Sequence, residues 1–446
     1  MDLVSLLPSF GNVIWTLAAF VVALSVIVAI HEFGHYIVGR WSGIDAEVFS
    51  LGFGPVLFSR MDRRGTRWQV AALPLGGYVR FLGDADPASA GADDEVVAAM
   101  TEDTRRRTMQ GAPLWARAAT VAAGPFFNFA LSILVFAAVL TLQGVASEPL
   151  TVGAVRQEVP GAAALEAGDR ILSIDGEVLP DVGGLDAVLP ALPEESPLDY
   201  EVERDGERLV VAAPHPLPPL VAGVTPGSAA ADVGLGEGDL IVAIEGEPAE
   251  TFADLRDAVA ASEGRPVLLE AMRDGERLEI VVVPRRTDVP TQDGGFETRW
   301  LVGISGGLLF EPQTRTPGPL SALGYGVEQT AFIVESSLSG LWHMAAGAIS
   351  SCNLSGPIGI AQTSGAAASQ GWLSFVWFIA VLSTAVGLLN LFPIPILDGG
   401  HLVFHAYEAV SGRPPSDRAL RVLMAMGLAF LLTLMAFALT NDLFCP

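Results

Sequence analysis

His31-Glu32-Phe33-Gly34-His35 closes an apolar run that begins at Val13 and carries no charge up to Ile30. Residues four apart differ by only about 40° around a helix, so His31 and His35 share one face. Two neutral imidazoles on one face can hold a zinc ion, and the neighbouring Glu32 can take a proton from water that the metal activates. In a soluble loop such a pattern means little, since chance produces it. Here it ends a stretch long enough to cross a bilayer, where a carboxylate costs roughly 3 kcal/mol on insertion scales and an ionisable cluster marks function by default.

Composition agrees with that setting. The chain has 446 residues, 51% of them hydrophobic, and a mean hydropathy of +0.46, which is too apolar for an ordinary soluble enzyme. Its length suits a membrane core plus about two small domains. All 25 basic residues are Arg, and the net charge of −25 argues against nucleic acid as a partner. Cys352 and Cys445 are too few for a disulfide framework and too far apart for a zinc ribbon, so both read as structural or incidental.

Four apolar segments stand out: about 12–38, 114–142, 372–392 and 419–439. The first lacks a basic leader and a cleavage site, and so reads as a retained span. Nine arginines, Arg40 to Arg107, lie between the first two segments; Arg413, Arg418 and Arg421 flank the last two. Positive flanks face the cytoplasm, which puts both termini and residues 146–319 outside. That outer stretch holds 32 acidic residues against 12 Arg, and acidic domains translocate readily.

Residues 40–113 form a cytoplasmic or membrane-associated region. Val48–Phe58 and Arg67–Leu73 are aromatic and β-branched, Leu73–Arg80 adds a turn and a short strand, and Gly52, Gly54, Gly76 and Gly77 sit where strands would bend. The segment reads equally as a surface hairpin or as a sheet dipping toward the site with an open edge for an extended substrate. Asp84–Gln110, first acidic and then basic, reads as a solvated loop.

The outer stretch repeats itself. Pro160–Ala164 returns as Pro226–Ala230; Gly168-Asp169-Arg170-Ile171 and its following strand return at Gly238-Asp239-Leu240-Ile241; Arg204-Asp205-Gly206-Glu207-Arg208 returns at Arg273–Arg277. The Gly168 pattern reads as a strand closed by a turn and the Arg204 pattern as a hairpin turn, so the expectation is two tandem α+β domains at 150–214 and 220–285. They resemble the PDZ domains of bacterial membrane and periplasmic proteases, which bind peptides by strand addition or act as spacers and filters. Residues 286–371 read as a linker with an interfacial helix at 320–351, and Ser355-Gly356-Pro357 as a break before the third span.

The second half of the site falls in Asn390-Leu391-Phe392-Pro393-Ile394-Pro395-Ile396-Leu397-Asp398-Gly399-Gly400. Two prolines one residue apart end a helix at membrane depth, which is tolerated only where the backbone is buried or lines a cavity. A two-His zinc site needs a third protein ligand, and Asp398 is the candidate, with His401 and His405 as competitors.

Taken together, HEFGH, Gly124-Pro125-Phe126-Phe127-Asn128, the PDZ-like pair and N-x-x-P-x-P-x-L-D-G-G resemble the site-2 protease family of intramembrane zinc metalloproteases, in the bacterial branch typified by the regulator of sigma-E protease. The likeness covers nearly the whole chain in order. It implies a multi-pass protein of the bacterial inner membrane with four transmembrane helices (1–39, 114–142, 372–400 and 419–440), a membrane-associated β region, a short cytoplasmic loop at 401–418 and periplasmic PDZ domains. It implies Zn2+ held by His31, His35 and Asp398, with Glu32 as general acid/base and Asn390 near the scissile carbonyl. Substrate-binding roles fall on Asn128 and on the Gly52–Phe81 region with Gly52, Gly54, Gly76 and Gly77. The implied substrate is a single-span membrane protein already trimmed outside, of the anti-sigma-factor kind, in stress-responsive regulated intramembrane proteolysis, or a signal-peptide remnant. The PDZ domains would take peptide ligands or act as a size filter. A PDZ scaffold or chaperone that binds without cutting is the alternative, as is a zinc transporter; Glu32 speaks against both, because only hydrolysis needs a carboxylate there.

Overall fold

The structure is a computed structural model that describes residues 7–84, 100–180, 185, 188–291 and 295–445; the acidic part of the Asp84–Gln110 stretch, 85–99, lies outside the described residues. The longer helices are α1 (Leu7–Trp41), α2 (Leu114–Gln143), α3 (Phe252–Ala261), α4 (Pro319–Ala345), α5 (Pro357–Ser369), α6 (Trp372–Leu391), α7 (Asp398–Ser411) and α8 (Asp417–Phe444). The chain divides into two compact units: residues 1–139, 319–342 and 351–446, and residues 140–318 with 343–350.

In the first unit, α1, α2, α6 and α8 are long and apolar enough to cross a membrane. At 1.5 Å per residue α1 is about 52 Å long, well beyond a hydrocarbon core of about 30 Å. Strands β1 (Ala46–Met61) and β2 (Arg67–Phe81) pack against it. Both strands bend, and their register sets four segments side by side in the order 56–61, 67–71, 48–51 and 77–81. Tyr36, Ile44, Phe49, Val79 and Phe81 form the shared core. Burying each large side chain is worth about 1.5–3 kcal/mol. Tyr36 Oη and Trp68 Nε1 both donate to the Asp62 carboxylate, locking the 61–67 turn to the helix.

The Pro393-Ile394-Pro395 break ends α6 at Leu391, and α7 starts at Asp398. A side chain at Gly399 would lie 2.3 Å from the Phe392 carbonyl, so only glycine lets α7 fold back against the end of α6. Two expectations need correcting here. Ser355-Gly356-Pro357 is not merely a break: proline at the first helical position starts α5, and the Asp442 carboxylate of α8 accepts from the Gly356 and Ile358 N–H groups at its exposed end. Nor are the cysteines incidental, for Cys352 and Cys445 form a disulfide 93 residues apart in sequence. Beside it, Asn441 donates to the Ser351 carbonyl. The stretch expected to be interfacial is α4, a 27-residue helix whose Ala322, Gly326 and Thr330 make a buried small-residue stripe.

The second unit contains the repeat. Its strands are β3 (Val152–Val155), β4 (Arg170–Ile174), β5 (Glu177–Val178), β6 (Leu198–Arg204), β7 (Glu207–Ala213), β8 (Val221–Val224), β9 (Leu240–Ile244), β10 (Glu247–Pro248), β11 (Val267–Arg273), β12 (Glu276–Val282), β13 (Arg285–Pro290), β14 (Phe296–Leu301), β15 (Ile304–Gly306) and β16 (Phe310–Pro312). The copies form matching four-stranded sheets, ordered β5-β4-β6-β7 and β10-β9-β11-β12. Each R-D-G-E-R segment turns a hairpin with positive φ at both central residues, Asp205-Gly206 and Asp274-Gly275, as a type I′ turn requires. The same motif's first Arg reaches back to the aspartate of the G-D motif. Arg204 grips Asp169 with two nitrogens at 2.7 Å, and Arg273 grips Asp239 with two at 2.6 Å. Both aspartates are buried, and each also accepts a backbone N–H, from Glu166 and Gly236. Burial alone would raise the Asp169 carboxyl, but the Arg204 bonds and the Glu166 N–H outweigh it and hold it below the usual carboxylate range.

The copies are not simply in tandem, and 286–318 is not a linker. β15 pairs with β8 of the second copy, and β16 continues to pair with β3 of the first. The first copy is thus completed by a strand that follows the second.

Candidate active site

His31 and His35 sit one turn apart on α1, and α7 brings Asp398 against them. His31 Nε2 and His35 Nε2 are 3.1 Å apart and lie 3.1 and 3.5 Å from Asp398 Oδ2. That oxygen is buried, and although both ring nitrogens are near, no hydrogen bond satisfies it. These three are the one group of three or more His, Cys, Asp or Glu among the described residues whose donor atoms could share a metal ion, all within 4.8 Å of one another. Ligand atoms about 2.0–2.2 Å from a tetrahedral zinc stand a little over 3 Å from each other. Two imidazole nitrogens, one orphaned buried carboxylate oxygen and this spacing fit zinc. His401 and His405, the competitors, line the same cavity but do not join the cluster. Burial, and then the charge of Arg117, push His405 down to about 4.

Helix α2 sets the rings. His35 Nδ1 donates to the Thr120 carbonyl at 2.8 Å, and the His31 Nδ1 meets the Asn128 amide at 3.2 Å. Between these residues, a side chain at Gly124 would come within 2.4 Å of His35 Nε2 and 2.8 Å of His31 Cε1. Thr120, Gly124 and Asn128 recur every four residues and so form one stripe: a carbonyl, a gap and an amide. The G-P-x-x-N motif pointed to Asn128; Thr120 acts through its backbone, which no side-chain pattern signals.

Glu32 projects beside them against β2. A side chain at Gly77 would lie 3.2 Å from Glu32 Cγ and 2.8 Å from the Ser50 carbonyl. The cavity, about 660 Å3, is walled by Gly77–Val79 and Phe81 on one side and by α7 on the other, with the Arg117–Glu408 ion pair, 2.5 Å long, in its lining.

The remaining expected residues fall elsewhere. Asn128 is fully buried and touches His31, so the structure places it behind the site and not on the substrate wall. Asn390 donates to the Val386 carbonyl of its own helix and is not in the cavity lining. Gly52 and Gly54, at φ +89° and +82°, and Gly76 shape the bends of β1 and β2; only Gly77 of the four borders the cavity.

The family model described as peptidase family M50 matches residues 19–434. The chain belongs to peptidase family M50. A protein of Agrobacterium fabrum with the provisional name of zinc metalloprotease is 35% identical over 444 residues, covering 98% of both chains. A similarly named protein of Rhizobium meliloti is 37% identical over 437 residues, 97% of both. The regulator of sigma-E protease RseP of Salmonella typhimurium is 31% identical over 461 residues, 97% of this chain and 99% of its own. The M50 chain described here is an intramembrane zinc metalloprotease, with four apolar helices and a mixture of helices and antiparallel strands.

Proposed function

We propose that His31, His35 and Asp398 hold the zinc and that Glu32 is the general acid/base of a peptidase acting on transmembrane segments. The observation that carries this is the orphaned Asp398 oxygen facing two imidazole nitrogens at the end of an apolar helix. Zinc, when bound, would polarise a peptide carbonyl and lower the pKa of water to about 7. Glu32, which α1 places one residue from His31, would take a proton from the attacking water and return it to the leaving amine. Asp398 and the two imidazoles contribute one anion and two neutral donors, which leaves room for substrate and water.

A transmembrane substrate must unwind before attack, because its carbonyls are tied in i→i−4 bonds. The 77–81 segment borders the cavity and pairs with 46–51 on one side only among the described residues, so an unwound substrate can add to it as a further strand. Asn390, whose amide now bonds Val386, is assigned to the scissile carbonyl. The substrate class is a single-span membrane protein of the anti-sigma-factor kind, trimmed on its outer side; the regulator-of-sigma-E name of a 31% identical relative supports this. The paired α+β copies are assigned as periplasmic PDZ domains that act as a size filter.

Metal analysis of the purified protein, joined to cleavage of a model transmembrane substrate with and without chelator, tests the reading. One zinc per chain and chelator-sensitive cleavage are expected; cleavage that survives complete zinc removal sinks it.

A further inference from the structure

We propose that Asn128 is a positioning residue that sets the tautomer of His31 by turning its amide over when zinc enters. The proposal rests on His31 as a zinc ligand. Asn128 is fully buried, and a side chain at Gly387 of α6 would lie 3.2 Å from its Cβ, so the side chain is wedged between two helices. Its backbone carbonyl accepts from Ser132 and Ser383, both at 3.0 Å, which fixes the residue from behind. The amide Nδ2 faces His31 Nδ1, while Oδ1 is buried without a hydrogen-bond partner.

An amide N–H donating to Nδ1 requires a lone pair there, and a neutral imidazole then carries its proton on Nε2. That tautomer cannot ligate through Nε2, the nitrogen aimed at Asp398. Zinc on Nε2 requires the proton on Nδ1, and a ring N–H facing an amide N–H is repulsive. Half a turn about the amide's terminal bond replaces Nδ2 with Oδ1, which accepts the ring proton. Asn is suited to both states because its two ends are nearly isosteric and opposite in hydrogen-bonding sense. His35 needs no such device, since the Thr120 carbonyl can only accept and holds that ring in the ligating tautomer throughout. The two histidines therefore differ: one is always ready, and the other is made ready by Asn128.

Zinc affinity, read by competition with a chromophoric chelator on the full chain in detergent, tests this apart from catalysis. Asn128→Leu keeps the volume and removes both polar ends; it is expected to weaken zinc binding by about 10- to 100-fold, the usual effect of losing a ligand's outer partner. Asn128→Asp keeps an acceptor toward Nδ1 and is expected to bind zinc at least as tightly as the wild type. A packing role predicts the reverse order, with leucine tolerated and a buried aspartate harmful. Wild-type affinity in Asn128→Leu, or equal losses in both variants, overturns the proposal; if the leucine variant does not fold, tight zinc binding by Asn128→Asp sustains the proposal and weak binding overturns it. A wild-type protein with no zinc would instead overturn the assignment of the site.

Discussion

Two kinds of buried aspartate occur in this protein. Asp169 and Asp239 in the repeat are each gripped by both arms of an arginine and by a backbone N–H. Asp398, less deeply placed with an 18% exposed side chain, faces two imidazoles and still has one buried oxygen, Oδ2, that no hydrogen bond satisfies. Burying a carboxylate is expensive unless it is paired and hydrogen-bonded. The repeat meets that cost within the fold, and those aspartates are structural. At Asp398 the fold leaves that cost unmet, and in the proposed reading a divalent cation meets it in charge and spacing.

The contrast breaks most visibly at Asp398 itself. Asp398→Ala is expected to lose zinc and with it nearly all activity, whereas His401→Ala and His405→Ala retain the metal. Metal analysis of the three variants checks this; an empty site in His401→Ala with a full one in Asp398→Ala would reverse the assignment. Next in size is Glu32→Gln, with a loss of about 10^2- to 10^4-fold in kcat at near-normal zinc content, as the proposed role of Glu32 in moving a proton without binding metal requires.

The repeat should respond in the opposite sense. Arg204→Met leaves Asp169 buried and uncompensated and is expected to cost about 3 kcal/mol, read as faster amide exchange in Leu198–Arg204, while zinc content stays unchanged. Arg273 is more exposed than Arg204, 40% against 23%, so Arg273→Met should cost less. Acid sharpens the same point. The Asp169 carboxyl is depressed in the folded protein, so its contribution is complete above the unfolded value of about 3.9 and fades as pH falls through the lower folded value. Protection of that sheet, with the intrinsic pH dependence of amide exchange divided out, should be flat from pH 7 to about 5 and fall below 4, and Arg204→Met should remove that fall. The smallest effect belongs to Thr251→Ala, which removes a capping box from α3 and should cost about 1 kcal/mol.

What could be read before the structure follows how local each signal is. His31, Glu32 and His35 lie within one helical turn, so spacing alone shows that they converge. The Pro393–Pro395 break beside Asp398 is equally local. The D-G hairpins and the repeat were legible because the motif occurs twice. Three features were not, each for want of a nearby partner. β15 and β16 look like linker because their pairing strands lie about 80 and 155 residues upstream. The N-terminus of α5 is capped by Asp442, 86 residues away in sequence. Asn128 carried a motif but no direction, and only the packing of α2 on α1 turned it from the substrate toward a histidine.

A cystine survives where the surroundings oxidise and is reduced in the cytosol. Under the proposed reading, the Cys352–Cys445 link favours one orientation of the chain. It joins the residue that caps α8 to the stretch leading into α5, so in that reading those ends belong on the oxidising side. The other end of α8, with Arg418 and Arg421, would then face the cytosol. Arginine counting selects the same orientation from the electrostatics of insertion, so sulfur chemistry and charge, acting independently, support placing the zinc site toward the cytosolic face.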